Sequence, residues 1–270
     1  YVQARDRAHD RPVVREFFLV ANLALALALL GGMLALQSYG RRLALRVDPA
    51  GDSRDARAAQ GAVFGLLGLL LAFTFSGALQ RFDERRHLIV EEANDIGTAW
   101  YRIDLLPSAR QSEMRVLFRQ YMDARIQTYS NVTDEAATSA SLAKGEQLQR
   151  QIWSVAVAGA DEGGKVATYT TLLPALNEMF DITTTRVAVT QMHPPTVVYG
   201  MILVLAAVGA VFSGYALGGG QQRSWVHRVA FPLATAVALF VIVDMEFPRL
   251  GLIRVDGMDY LMNDLRKMMG

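Results

Sequence analysis

Four stretches almost free of charge, residues 17–36, 61–79, 196–218 and 229–247, are the strongest constraint on how this chain folds. The hydrocarbon core of a bilayer is about 30 Å thick and needs about 20 apolar residues to be crossed as a helix. All four stretches meet or approach that length. One alone would suit a buried helix of a soluble protein; four together predict a multi-pass membrane protein. Residues 81–190 have the mixed composition of a soluble domain. The expected fold is therefore all-α, with four transmembrane helices and a helical extramembrane domain inserted between the second and third spans. The corresponding segments are 1–80, an N-terminal arm and first transmembrane pair; 81–195, the extramembrane domain; and 196–270, the second pair and a C-terminal tail.

The first apolar run is longer than a signal-peptide core. Gln37-Ser38-Tyr39-Gly40-Arg41 is also a poor cleavage context, so the run is read as a retained span. Orientation follows the arginines near the span ends. Arg5, Arg7, Arg11, Arg15, Arg81, Arg85, Arg86, Arg186, Arg249 and Arg254 lie beside the termini and the domain. Arg41, Arg42, Arg46, Arg54, Arg57, Arg223 and Arg228 lie beside the two short loops. Ten against seven favours a cytoplasmic domain in a cell (inner) membrane protein.

No proline occurs between Gly61 and Leu106, and the only glycine after Gly77 in that interval is Gly97. One helix is predicted over about 61–105, roughly 65 Å long at 1.5 Å per residue and about twice the thickness of a bilayer core. Further helices are predicted over 109–129, over 134–159 with Asp134 as N-cap, and over 166–191 with Pro174 in the first turn or at a kink. Pro49 and Gly51 mark a turn after the first span, and Gly218-Gly219-Gly220 opens the loop after the third. The tail, 249–270, is short and mixed.

Enzyme motifs are missing: there is no H-E-x-x-H, G-x-G-x-x-G, P-loop or G-x-S-x-G. With no cysteine, thiolate chemistry and cysteine-ligated metals are excluded, and the four histidines are scattered. No cofactor or metal is implied. A net charge of +1 gives no general attraction to nucleic acid. No span carries an ionisable residue near its middle, which argues against a proton relay or charge-coupled transporter. Asn22, Thr74, Ser76, Ser213 and Thr235 are the polar groups at depth, and they suit helix–helix hydrogen bonds.

The second span is the most informative. Gly61, Gly65, Gly68, Ala72 and Ser76 form one stripe of small side chains on a helix, while Phe64, Leu71, Phe75 and Phe82 lie on another side. Small residues let helices pack closely in lipid. They also leave room for a water path, in which Phe75 would form an apolar neck. Beyond the span, Asp83, Glu84, Glu91 and Asp95 would make charged rings at a pore mouth if several copies surround an axis. Otherwise they are solvated positions on a helix. Asp244 and Glu246 end the fourth span with Arg249 just beyond, a pattern that suits interfacial ion pairs.

Gly65-Leu-Leu-Gly-Leu-Leu-Leu-Ala-Phe-Thr-Phe-Ser76, Arg85-Arg86, Glu92-Ala-Asn-Asp-Ile-Gly-Thr98 and Arg102-Ile-Asp-Leu-Leu-Pro107 resemble the bestrophin-like domain family of bacterial membrane proteins. Tyr121-Met-Asp-Ala-Arg125, Ala175-Leu-Asn-Glu-Met-Phe-Asp181, Asp244-Met-Glu-Phe-Pro248 and Gly251-Leu-Ile-Arg254 carry the resemblance onward, so that it covers roughly 60–260. Phe247 departs from it, standing where the family pattern has an arginine. Bestrophins are pentameric anion channels with four spans and a long second helix. The resemblance implies a pentameric, anion-selective homo-oligomer in a lipid bilayer, with inorganic ions as its cargo and the second span lining the path. The alternative is a non-conducting membrane scaffold whose polar domain binds a partner.

Overall fold

The structure, a computed structural model, describes residues 2–47, 54–131, 134–163, 166–217 and 225–270. Side chains are described from residue 14 onward, apart from those of 54, 56, 163 and 227. The turns expected at Pro49 and Gly51 and at 218–220 lie outside the described residues. The chain forms eight α-helices among the described residues: α1 (Val2–Val47), α2 (Arg54–Arg102), α3 (Ser108–Ser130), α4 (Glu135–Gly163), α5 (Leu173–Gln191), α6 (Thr196–Ala216), α7 (Trp225–Glu246) and α8 (Tyr260–Met268). No strand occurs among those residues. Four helices are long and apolar enough to cross a membrane, and they cover nearly all of the four stretches found in the sequence. The fold is all-α with four spans.

The chain divides into two compact units, one of residues 1–11, 82–192 and 254–270 and the other of 12–81 and 193–253. The first, polar unit is a helical bundle. Ile96, Ile103, Met114, Phe118, Met122, Leu148, Ile152, Leu176 and Met179 are buried in its core. Each such side chain contributes about 1.5–3 kcal/mol when taken out of water. The tail, expected only to be mixed, forms α8, which places Met262 and Met269 in the same core and pairs Arg266 with Asp123 at 2.7 Å. Asp134 caps α4, its Oδ1 accepting the Ala137 N–H at 2.9 Å. Pro174 sits in the first turn of α5, which follows a π-helical turn at Thr168–Leu172. Arg102 donates to the carbonyl of Thr171 in that turn at 2.7 Å.

The second, apolar unit contains the four spans. Met33, Leu67, Ile202, Ala206, Ala210 and Leu239 meet at its centre. Lipid tails are as apolar as these side chains, so packing and interhelical hydrogen bonds hold the spans together. The closest approach joins α1 and α6. A Cβ at Gly40 would collide with the Val211 carbonyl, and one at Gly214 with the Gln37 carbonyl. Nearby, Gln37 Nε2 donates to Ser213 Oγ at 3.3 Å, and Asn22 Nδ2 donates to the Phe240 carbonyl at 3.3 Å. Thr74 and Thr235 instead bond to carbonyls one turn back on their own helices.

Residues 37–47, read from the sequence as loop, continue α1 to Val47. The long second helix runs from Arg54 to Arg102 without a break, and a 3-10 turn at Ile103–Leu105 follows it.

Candidate functional site

Within the apolar unit, α2 presents three faces. Phe64 stacks on Phe231 with ring centroids 3.9 Å apart, Leu67 and Thr74 are buried, and Leu71 packs on the core. Roughly a quarter-turn away, Gly61, Gly65, Gly68, Ala72 and Ser76 are all exposed. A Cβ added at Gly61, Gly65 or Gly68 would have no atom within 4 Å. The small-residue stripe is therefore not covered by another helix of its own unit. The aromatic row divides: Phe64 packs inward, whereas Phe75 stays 41% exposed on the edge of the stripe. Leu66, Leu69 and Phe73 form a third, bulky exposed face.

The end of α7 is a second organised centre of the same unit. Asp244 is buried, and its carboxylate accepts backbone N–H groups from Leu252, at 3.0 and 2.9 Å, and Ile253, at 2.8 Å. A Cβ at Gly251 would sit 2.5 Å from Asp244 Oδ1, so glycine lets the turn close over the carboxylate. Glu246, also buried, accepts Arg81 Nε at 3.0 Å and lies 3.3 Å from His193 Nδ1. Phe247 packs against both His193 and Phe18. Arg249 is half-buried beside this turn, and Arg254 pairs with Asp256 in the polar unit. The partners of Glu246 come from α2 and from the segment before α6, a long-range arrangement that local spacing does not reveal.

In the polar unit the second half of α2 carries one inward and several outward carboxylates. Glu92 is completely buried; its Oε1 accepts Arg125 Nε at 2.5 Å and its Oε2 accepts Arg186. Tyr129 completes the cluster. Arg125 donates to its hydroxyl, and Arg186 Cζ lies 3.7 Å from its ring centroid. Burial alone would raise the Glu92 pKa, but the charges and hydrogen bonds of Arg125 and Arg186 outweigh it and hold the carboxyl below its ordinary value. Burial, with the nearby Glu92 charge, pushes the Tyr129 phenol up to about 12.

The outward carboxylates are dispersed along the helix. Asp83 pairs with Arg86 at 3.5 Å, Glu91 lies 3.9 Å from His87, and Glu84 is exposed. Asp95 is half-buried, and desolvation followed by repulsion from Glu91, Glu178 and Glu92 raises its pKa to about 6. No cluster of metal-ligating side chains occurs among the described residues.

The model of the bestrophin-like domain matches residues 32–257, most of the chain. The chain belongs to the bestrophin-like family. No curated protein and no solved structure gives a significant match. In this bestrophin-like protein the motif residues have physical work. Glu92 and Arg125 form the buried ion pair, Arg102 binds the π-turn carbonyl, Asp244 holds its own turn, and Gly251 makes room for that contact.

Proposed function

We propose that this bestrophin-like protein assembles into a homo-oligomeric, anion-selective channel, a pentamer by kinship, with α2 lining the path. One observation carries the reading: the Gly61–Ser76 face of α2 is a continuous small-residue stripe left uncovered in its own unit, whereas Gly40, Gly209 and Gly214 meet neighbouring helices. In lipid, bare small residues gain nothing from burial against acyl chains, whereas around an axis they leave a bore for water. Phe75 supplies the neck, and Gly61, Gly65, Gly68, Ala72 and Ser76 supply the walls. Asp83, Glu84, Glu91 and Asp95, on the continuation of α2, would supply charged rings at a pore mouth, on the side that the arginine balance favours as cytoplasmic.

Anion selectivity rests on kinship, and the acidic α2 extension is the feature that opposes it. The reversal potential of reconstituted protein across a salt gradient tests this assignment. Anion selectivity puts its sign on the chloride side. A cation-selective sign would overturn it and make those carboxylates the groups that govern the mouth. Native mass spectrometry in mild detergent tests assembly, and a monomer alone would remove the basis for an axial path.

A further inference from the structure

A cavity lies where the first and third spans leave the apolar layer and the fourth enters it. There α1, the end of α6 and the start of α7 enclose an open cavity of about 280 Å³, lined by Gln37, Ser38, Arg41, Arg42 and Arg228, with Leu45 and Leu217 on its apolar side. None of the three guanidinium groups has a carboxylate partner among the described residues. Gln37 is 97% buried, and while its amide nitrogen reaches Ser213, its amide oxygen has no partner. Half a turn of the amide would exchange the two atoms. In either orientation, one buried polar atom at the cavity wall still lacks a protein partner.

Three exposed arginines around one cavity, none with a carboxylate partner among the described residues, favour an anion there, and the guanidinium fork matches the oxygens of a phosphate. The partial negative charge at the C-terminus of α6 opposes this, but it amounts to about half an elementary charge against three full positive ones. The cavity falls below the roughly 300–1,000 Å³ of sites that enclose a whole small-molecule ligand. It suits a headgroup with its tails outside, beside Leu45 and Leu217. We infer that this cavity binds a phosphate group, with the Gln37 amide meeting one of the oxygens at or beside the phosphorus. Two sources have that chemistry: the headgroup of an anionic phospholipid, and free phosphate.

The test uses full-length protein in nanodiscs of phosphatidylcholine, with and without phosphatidylglycerol. Native mass spectrometry counts retained lipid, and thermal unfolding is followed with added inorganic phosphate. Wild type should retain phosphatidylglycerol in preference to phosphatidylcholine. The triple variant Arg41→Gln, Arg42→Gln, Arg228→Gln should lose that preference by about tenfold or more. Arg150→Gln, at an exposed position in the polar unit, controls for nonspecific charge, and Arg228→Gln alone is the milder variant if the triple fails to assemble. Stabilisation by inorganic phosphate that disappears in the arginine variants, without selective lipid retention, would assign the site to free phosphate. Equal lipid retention and equal response to phosphate in wild type and arginine variants would overturn the proposal.

Discussion

Glu92 Oε1 accepts the Nε–H of Arg125 at 2.5 Å across 33 positions of sequence, with both side chains sealed from solvent. Arg186 reaches the other carboxylate oxygen, so a single negative charge serves two buried cations. Desolvating such groups is expensive, and the cluster persists only because every charge is answered. Removing the carboxylate leaves two uncompensated guanidinium groups. Glu92→Gln is expected to destabilise the polar unit by about 3–5 kcal/mol. Its depressed pKa also fixes the sign with pH. The stabilisation is complete above the ordinary carboxylate value of 4.5 and is lost as pH falls toward the lower folded value. Thermal unfolding against pH should show this acid loss in wild type and a flatter profile in the variant; parallel profiles would refute the assignment.

Asp95 behaves in the opposite sense. Its pKa is raised from 3.8 to about 6 by burial and neighbouring carboxylates, so the folded chain binds the proton more tightly than the unfolded one. Stability should therefore fall as pH rises from 3.8 to about 6, and the full penalty remains at neutral pH. Asp95→Asn should raise the neutral-pH melting temperature and remove this part of the slope. A lower melting temperature would mean that the charge is needed for a contact.

Glycines of the apolar unit should divide into two groups. Gly214→Ala forces a Cβ into the Gln37 carbonyl, which cannot move without shifting α1. The expected cost is about 1–3 kcal/mol, with loss of folded protein on size exclusion. Gly65→Ala meets open space in the subunit and should leave the fold intact, with up to about 1 kcal/mol gained from helix propensity. Equal damage from both would show that Gly65 is covered in the assembly.

At the end of α7, Asp244→Asn turns one acceptor atom into a donor facing the Leu252 and Ile253 N–H groups. A cost of about 1–3 kcal/mol is expected. Gly251→Ala should produce a similar loss from the other side of the contact. Amide exchange at Leu252 and Ile253 reads both, and unchanged protection would argue against the bond.

The membrane plan was legible because span length and charge segregation are local and strong signals. The unbroken α2 followed from missing prolines, and the α4 cap from Asp134. Other features depended on partners distant in sequence. In the sequence Glu92 and Arg125 stand in two separate motifs and Arg186 stands among the span-end arginines; only the fold brings the three together. Among the small residues of the spans, Gly214 faces the α1 backbone, whereas Gly61, Gly65 and Gly68 face open space. Spacing alone gives both sets the same pattern. Residues 260–268 carry Leu261, Met262, Leu265 and Met268 at helical spacing, a signal for α8 that was legible but short, and the tail reads only as mixed.

Ion flux through purified protein in liposomes tests the central claim most directly, measured for wild type, Gly68→Leu and Phe75→Ala with size-exclusion profiles alongside. If the uncovered face of α2 lines the path, wild type conducts and Gly68→Leu blocks flux while keeping the oligomer. Phe75→Ala then raises conductance, because it widens an apolar neck that excludes water and ions. No flux from wild type under any gradient, together with loss of assembly in Gly68→Leu, would contradict the channel and leave α2 as the seam of a non-conducting scaffold.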